Sequence, residues 1–169
     1  MVPADYDEIY RWTADPRTSG LWRYRGGTPP PDTVIRQLWD GVTAQYCVTR
    51  PPDQRPLGLV GLYNSNHVSQ YCYLFALSAP EVLRTGLVLR GALQLIDYAF
   101  ARFRLRKIYL ETLESSFSAF RSASLIGAIS EEGRLREHEW NGTTYDDLVF
   151  LSIDRDQWAR FRQRFGGEL

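Results

Sequence analysis

The sequence is poor in several residue types, and each scarcity excludes a class of protein. It holds two histidines, two cysteines, one methionine and one lysine. The cysteines, Cys47 and Cys72, form no CxxC pair and no metal-ligand spacing, so the sequence predicts no metal site and a reducing compartment. A single disulfide between them is compatible with the spacing. No apolar run is long enough to cross a bilayer, so no membrane span is predicted.

The charges are balanced, which argues against a nucleic-acid partner. The chain has twenty basic and twenty acidic residues, so its formal net charge is zero. Nineteen of the basic residues are arginine, which a compositional bias of the genome explains most simply. The excess of basic residues that marks nucleic-acid-binding proteins is absent. No basic-then-apolar leader opens the chain, so we expect a cytoplasmic protein. We expect it to be a monomer or a homodimer.

Length and hydrophobic content fit one globular domain. The chain has 169 residues, of which 44% are hydrophobic, and it contains five tryptophans. These values are sufficient for a sizeable core. We therefore expect a single domain spanning residues 1–169.

Hydrophobic periodicity divides the chain into helical and extended segments. The predicted helices are Tyr6–Thr13, Asp32–Thr43 (with Asp32 as N-cap), Gly86–Phe103 and Ser116–Leu125. The predicted strands are Ala44–Thr49, Leu57–Asn64, Gln70–Leu77, Lys107–Thr112, Arg134–Trp140 and Asp147–Ile153, the first three of them antiparallel. This order predicts an α+β domain around a mixed, mostly antiparallel sheet flanked by helices.

The stretch Val82–Leu105 places Gly86, between Arg84 and Arg90, at the start of the longest predicted helix. A helix N-terminus offers unpaired N–H groups and a partial positive charge, which suit a phosphate. Gly86 would let the backbone approach the anion, and Arg84 and Arg90 could add charge-assisted hydrogen bonds. The alternative is that Gly86 fits a turn and that the arginines are solvated.

Several segments, taken in order, resemble the GNAT acyltransferase superfamily, particularly its branch of ribosomal-protein N-terminal acetyltransferase-like proteins. The loop Leu83–Val88 resembles the family's Q/R-x-x-G-x-G/A loop, and "ALQLIDYAF" resembles the helix after it. "LRKIYLET" is similar to the fifth strand, and Glu132–Trp158 is similar to the closing hairpin. "YDEIYRWTADPR" and "GLVGLYN" are similar to the first helix and the third strand. The resemblance implies the GNAT fold, with splayed fourth and fifth strands and a first edge strand that is short or missing.

The resemblance implies a site for acetyl-CoA or another acyl-CoA. The pantetheine arm would pair with the backbone of one strand, at Phe75, Ala76 and Leu77. The pyrophosphate would bind the main-chain amides at the helix start, which are those of Thr85, Gly86, Leu87 and Val88. Arg84 would lie close by. Ser116 would lie near the sulfur end of the cofactor. The alternative for Phe75 and Leu77 is ordinary strand core.

Direct acyl transfer needs a base for the amine and an acid for the leaving thiolate. Glu111 and Glu114 are candidates for the base or for binding the amine, and Ser116 and Ser118 could protonate the thiolate. Solvated strand ends and a helix N-cap are the alternatives. His67 has a suitable intrinsic pKa but no neighbour in sequence that would orient it.

An acceptor site is expected between the loop Thr18–Pro31 and the hairpin near Asn141-Gly142. Aromatic residues with neighbouring arginines could hold a flat or anionic acceptor there, or could cap the core. The candidate acceptor-binding residues are Trp22, Tyr24, Tyr63 and Trp140, with Arg23 and Arg25 beside the first two and Tyr73 as a further hydroxyl donor.

The chain also departs from the family pattern. Leu83 occupies a loop position where the family prefers Gln, Arg or Trp. Val88 occupies one where it prefers Gly or Ala. Cys72 aligns with an acidic residue, and Ser116 and Ala119 align with an asparagine and a serine. These departures favour a member without catalysis, but the glycine and arginine at the helix start favour cofactor binding. We expect an acyl-CoA-dependent N-acyltransferase acting on a small-molecule amine or a peptide N-terminus. The alternatives are a degenerate member that binds a ligand or partner without catalysis, and a fold recruited to another biosynthetic reaction.

Overall fold

The structure is a computed structural model that describes residues 5–23, 29–52, 54–118, 127–141 and 143–165. These ranges contain five α-helices and six β-strands. The helices are α1 (Tyr6–Ala14), α2 (Pro31–Trp39), α3 (Leu87–Arg102), α4 (Glu114–Ser118) and α5 (Arg155–Phe165). The strands are β1 (Val42–Val48), β2 (Gly58–Asn66), β3 (Tyr71–Ser78), β4 (Lys107–Leu113), β5 (Ser130–Trp140) and β6 (Tyr145–Asp154).

The six strands form one mixed sheet in the order β1-β2-β3-β4-β6-β5. β1 pairs antiparallel with β2, and β6 pairs antiparallel with both β4 and β5. β3 and β4 run parallel, and their pairing joins Tyr71–Tyr73 to Lys107–Tyr109 at the start of both strands. The predicted α+β class with a mixed, mostly antiparallel sheet is confirmed.

Two of the predicted helices have wrong boundaries. α2 starts at Pro31 with Pro30 as its N-cap, not Asp32, and it ends at Trp39 instead of Thr43. The chain leaves the helix at Asp40, and β1 has begun by Val42, next to Gly41 whose carbonyl accepts the N–H of Asn64 on β2. β-Sheet pairing thus overrides the helical pattern there. The predicted helix Ser116–Leu125 begins earlier, as α4, and its residues 119–126 lie outside the described ranges.

The sequence prediction omitted α5. This segment is dominated by charged residues, so its helical pattern rests on a few apolar side chains. Trp158 and Phe161 are three residues apart, 3% and 5% exposed, and stacked with ring centroids 5.3 Å apart. A spacing of three places both rings on one face of a helix, which is the signal that the prediction missed.

The chain divides into two compact units. The first comprises residues 1–65 and 74–98, and the second comprises residues 66–73 and 99–169. The core of the first unit is formed by apolar side chains of α1, α2, β2 and β3 and of the segments beside them: Ile9, Trp12, Trp22, Val34, Leu38, Leu59, Phe75, Leu77 and Ala79. In the described ranges, no helix is both long enough and apolar enough to span a membrane.

In the second unit, Arg155 binds the carbonyl groups at the end of α3. Its guanidinium donates to the carbonyl oxygens of Phe100, Phe103 and Leu105 at 2.6, 2.8 and 2.8 Å. The guanidinium carbon lies 5.2 Å from the centre of the Phe100 ring. The last carbonyls of a helix have no intrahelical donor, so this one side chain satisfies groups that would otherwise need water.

We expect Arg155→Ala to lower the free energy of unfolding by about 2 kcal/mol, because hydrogen bonds from a charged donor are lost at a half-buried helix end. Urea unfolding followed by circular dichroism measures this change. Arg160→Ala, which removes an exposed arginine of α5, should change stability by less than about 0.5 kcal/mol. Equal stability of the Arg155 and Arg160 variants would contradict the role given to Arg155.

Candidate functional site

The start of α3 presents main-chain N–H groups, but that of Thr85, one of the predicted donors, is already bonded to the Val82 carbonyl at 3.2 Å. The N–H of Arg90 donates to the Gly86 carbonyl at 2.9 Å, which is the first hydrogen bond of the helix. The N–H groups of Leu87, Val88 and Leu89 therefore have no acceptor within the helix. The Leu87 N–H donates to the Thr85 hydroxyl oxygen over a long 3.4 Å, and that hydroxyl donates to the Val82 carbonyl at 2.7 Å.

The backbone before α3 leaves room for an anion. Gly86 has φ +78°, and a Cβ added to it would meet nothing within 4 Å. Arg84, two residues earlier, also has a left-handed φ of +62°, and its side chain is exposed. Left-handed residues in a tight turn direct neighbouring N–H groups into a concave anion site. Open space, main-chain donors and a nearby guanidinium fit the diphosphate of an acyl-CoA.

The Val88 side chain does not fill this space, because it packs against β2. The side chain is 8% exposed, and a Cβ built on Gly58 would lie 2.3 Å from Val88 Cγ2. The bulk that departs from the family's Gly or Ala is thus accommodated by a glycine on β2. Leu87 is half-buried.

We expect Gly58→Ala to destabilise the protein by about 1–3 kcal/mol, because the new methyl group would overlap Val88. The double variant Gly58→Ala with Val88→Ala should recover part of that loss, which urea unfolding would show as a favourable coupling energy. Additive effects of the two substitutions would contradict this packing. CoA binding by the double variant should match that of the unmodified protein.

The strand residues predicted to pair with pantetheine lie in the second half of β3. The side chains of Phe75 and Leu77 are buried in the core of the first unit, and Ala76 is half-buried. Phe75 packs edge-on against Trp22 and Tyr63, each with ring centroids 5.8 Å away. The role predicted for these residues uses their main chain, so it stays a prediction that this burial does not test.

Of the predicted acceptor-binding residues, Trp22 and Tyr63 come together in the first unit. Trp22 is 1% exposed, whereas Tyr63 is half-buried. Arg23 lies over the rings of both and of Phe75, with its guanidinium carbon 4.9–5.4 Å from their centres. Arg23 also donates to the carbonyls of Gln37 and Asp40 at the end of α2. This arrangement favours the interpretation that Trp22 and Arg23 cap the core.

The other two predicted acceptor-binding residues are not in that group. Tyr24 lies outside the described residues, as does Arg25. Trp140 is in the second unit, 58% exposed, with its ring centroid 5.2 Å from that of Tyr145. An acceptor role for Trp22, Tyr63 and Trp140 stays a prediction.

Glu111 lies beside a group of aromatic residues in the second unit. Tyr71, Tyr73 and Tyr109, hereafter the tyrosine cluster, have ring centroids 5.4–6.1 Å apart. Glu111 follows Tyr109 by two residues on β4, so both side chains leave the same face of the strand. All four side chains are half-buried. Burial, and then the nearby Glu111 carboxylate, raise the pKa of Tyr73.

Sequence reasoning named Glu111 and Tyr73 but missed Tyr71 and Tyr109. The signal was present, because Tyr71 and Tyr73 alternate along one predicted strand and Tyr109 lies in the next. Side chains two apart on a strand share a face, but only the parallel pairing of β3 with β4 places Tyr109 opposite Tyr73. That register is a long-range feature which the local pattern does not specify.

The cation near the tyrosine cluster is paired with carboxylates. The Lys107 ammonium lies 5.6 Å from the centre of the Tyr109 ring and pairs with Glu132 at 2.6 Å and Asp154 at 3.6 Å. The hydrogen bond to Glu132 raises the pKa of Lys107, and the same bond lowers that of Glu132. The one lysine is therefore held in ion pairs, while Glu111 adds a further carboxylate.

The remaining catalytic candidates have other positions. Glu114 pairs with Arg134 at 2.8 Å, in a network that also holds Glu131 and Asp147. Ser116 is half-buried within α4; Ser118 ends that helix, and its side chain lies outside the described part. His67 is exposed. The roles predicted for the two serines stay predictions.

The cysteines are free thiols with raised pKa values. Cys72, where the family often has an acidic residue, is fully buried, and burial raises its pKa to about 12. Burial also raises the pKa of Cys47. Neither thiol suits nucleophilic catalysis, which requires the thiolate. Among the described residues, no group of three or more histidine, cysteine or acidic side chains is placed to hold a metal ion.

The comparison of the sequence with protein families decides the assignment. The family model described as "Acetyltransferase (GNAT) domain" matches residues 1–128, about three quarters of the chain. The chain belongs to the GNAT acetyltransferase family. The predicted superfamily is confirmed, as is the predicted class of acyl-CoA-dependent N-acyltransferase with acetyl-CoA as donor. The branch within the superfamily stays a prediction.

Solved structures share the fold of this GNAT acetyltransferase. A spermidine N-acetyltransferase chimera of Vibrio cholerae SpeG and hSSAT has a TM-score of 0.75 at 19% identity, over 94% of this chain and 95% of that one. The Vibrio cholerae spermidine N-acetyltransferase in complex with CoA and spermine has a TM-score of 0.72 at 20% identity, with the same coverages. A probable acetyltransferase has a TM-score of 0.68 at 19% identity, covering 94% and 92%. Among curated proteins, no sequence matches this chain.

Proposed function

We propose that this GNAT acetyltransferase transfers the acetyl group of acetyl-CoA directly to the nitrogen of an amine, on a small molecule or a peptide N-terminus. The observation that carries the choice of acceptor is the Glu111 carboxylate beside the tyrosine cluster. A carboxylate next to half-buried aromatic rings suits an amine, which reaches the enzyme as a cation and must lose a proton before it reacts.

The donor is held, in this proposal, by the start of α3 and by β3. The N–H groups of Leu87, Val88 and Leu89 donate to the diphosphate, and Arg84 adds a charge-assisted hydrogen bond. The main chain of Phe75–Leu77 pairs with the pantetheine arm. Bound acetyl-CoA supplies the activated acetyl group as a thioester.

Glu111 binds the ammonium group of the acceptor and takes a proton from it, directly or through one water. The neutral nitrogen then forms the C–N bond to the acetyl carbonyl carbon as the C–S bond breaks, and the second proton that the nitrogen loses as the amide forms replaces the one given to the leaving thiolate. We assign the Tyr73 phenol, which lies beside Glu111 and is protonated at neutral pH, as a proton donor for the leaving thiolate. Ser116 and Ser118 are the other candidates for that proton. Alignment of the two reactants supplies much of the remaining rate enhancement.

The acceptor class follows from charge. The Glu111 carboxylate lies beside the tyrosine cluster, and the Lys107 ammonium near Tyr109 is already paired with Glu132 and Asp154. A cationic amine is attracted to such a surface, whereas a carboxylate-bearing acceptor is repelled. Two of the similar structures are spermidine N-acetyltransferases, one of them in complex with CoA and spermine, so polyamines belong in the set of acceptors to be tried.

A panel of amines tests the proposal. The protein is incubated with acetyl-CoA and, in turn, spermidine, a diamine, an amino acid and a peptide with a free N-terminus. Free thiol is followed with a chromogenic disulfide, and the acetylated product is identified by mass spectrometry. We expect N-acetylated product from at least one cationic amine and less from amino acids. Tight CoA binding with no acetylated product from any amine would contradict the proposal and favour a binding protein without catalysis.

A further inference from the structure

Three arginines at alternate positions border a hollow at the end of α3. Arg102, Arg104 and Arg106 are all exposed, and all three line one hollow of about 560 Å³ in the second unit. Over the described ranges, none of these three side chains makes an ion pair or a hydrogen bond. They differ in this from Arg134 and Arg155, whose guanidinium groups are bound to carboxylates or carbonyls.

The main chain that carries these arginines is fixed in place. Arg155 donates to three carbonyls between Phe100 and Leu105, as described above. The Arg106 N–H donates to the Gln70 carbonyl at 2.6 Å, and the Arg106 carbonyl accepts from the Arg155 N–H at 3.0 Å. Binding by a fixed segment costs less conformational entropy than binding by a flexible one, so these arginines are presented for an external anion.

The balance of charge in the hollow is positive. Four arginines line it against two aspartates, Asp154 and Asp156. Asp154 lies 3.6 Å from the Lys107 ammonium, and Asp156 occupies the first turn of α5, where the helix dipole stabilises a carboxylate. Arg155 is committed to the carbonyls at the end of α3. The charge of Arg106 also helps to lower the pKa of Glu132, so Arg102 and Arg104 supply most of the charge left for a ligand, with Arg106 beside them.

We infer that this hollow binds a small anion bearing a diphosphate group. Guanidinium groups present paired N–H donors that match phosphate oxygens, and several of them suit an anion with more than one charge. The volume lies within the range of about 300–1,000 Å³ typical of small-molecule sites. The hollow shares no residue with the Gly86–Leu89 segment to which acetyl-CoA is assigned, so the ligand would be additional to the donor.

Binding of inorganic pyrophosphate tests this inference, with ADP as a nucleotide source of the same group and acetate as a singly charged control. The titrations are done by calorimetry at about 150 mM salt, which screens weak attraction of the anions to the protein surface. Because pyrophosphate could also bind at the start of α3, the protein carries Gly86→Glu in every titration. We expect saturable binding of pyrophosphate and no saturable binding of acetate. ADP binding as tight as that of pyrophosphate would identify a nucleotide site, and weaker binding a site for the free anion.

Arg104→Ala combined with Arg106→Ala should weaken pyrophosphate binding by at least about tenfold, because charge-assisted hydrogen bonds are lost. Arg160→Ala, an exposed arginine of α5 that does not line the hollow, is the matched control and should leave the affinity unchanged. The inference is overturned if pyrophosphate fails to bind the Gly86→Glu protein, or if the paired arginine substitutions and Arg160→Ala give the same affinity. Neither outcome depends on whether the protein acetylates amines, so failure here is distinct from failure of the proposed function.

Discussion

Replacing Gly86 by glutamate is expected to weaken CoA binding by at least about 100-fold, which corresponds to about 2.7 kcal/mol. A Cβ at this position meets no atom within 4 Å, so the new side chain can be accommodated in the open space where the diphosphate is proposed to bind. Its carboxylate would compete for the N–H groups of Leu87–Leu89 and would repel the phosphates. Calorimetric titration with CoA measures the effect.

Gly127→Glu is the matched control for this substitution. Gly127 also has a left-handed φ, of +106°, and a Cβ there also meets nothing within 4 Å. Both variants therefore lose a similar amount of stability to backbone strain, on the order of 1 kcal/mol. Only the variant at Gly86 should lose CoA binding. If both variants bind CoA like the unmodified protein, the start of α3 is not the diphosphate site.

Glu111→Gln is expected to lower kcat about 100- to 1,000-fold while the affinity for CoA changes little, because it removes the base and not the donor site. The amide keeps the size of the side chain but can neither take a proton nor attract a cation. Initial rates with the best amine of the panel, together with CoA titrations, separate the two effects. A rise in KM for the amine should accompany the fall in kcat.

Glu114→Gln is the control for Glu111→Gln. Glu114 is the next carboxylate along the chain, but it pairs with Arg134, which retains Glu131 and Asp147 as partners after the substitution. We expect less than about a threefold change in kcat for this variant. Comparable rates for the two variants would remove Glu111 from the chemistry and leave Tyr73 and the serines as candidates.

The fold was largely predictable because its signals are local or ordered along the chain. Apolar residues at helical spacing predicted α1 and α3, and runs of β-branched and aromatic residues between glycine and proline turns predicted β1–β3. The one omitted helix, α5, has few apolar residues, and its position depends on the packing of Trp158 and Phe161. The end of α2 was misplaced because pairing of β1 with β2 decides where the helix stops.

The site was predictable in part, and the division has a physical reason. Gly86 and Glu111 could be named because a helix-start glycine and a strand-end carboxylate are visible in sequence. The packing of Val88 against Gly58 and the grouping of three tyrosines both depend on contacts between residues far apart in the chain. In the sequence, Val88 is a departure from the family pattern. That Gly58, thirty residues earlier, makes room for its side chain is visible only in the folded chain.

The crystal structure of a complex with CoA tests the central claim most directly. The account predicts that oxygens of the diphosphate accept hydrogen bonds from the N–H groups of Leu87, Val88 and Leu89, with the Val88 side chain still packed on Gly58. A diphosphate bound away from residues 84–90, with the space beside Gly86 closed by the Leu87 side chain, would contradict it.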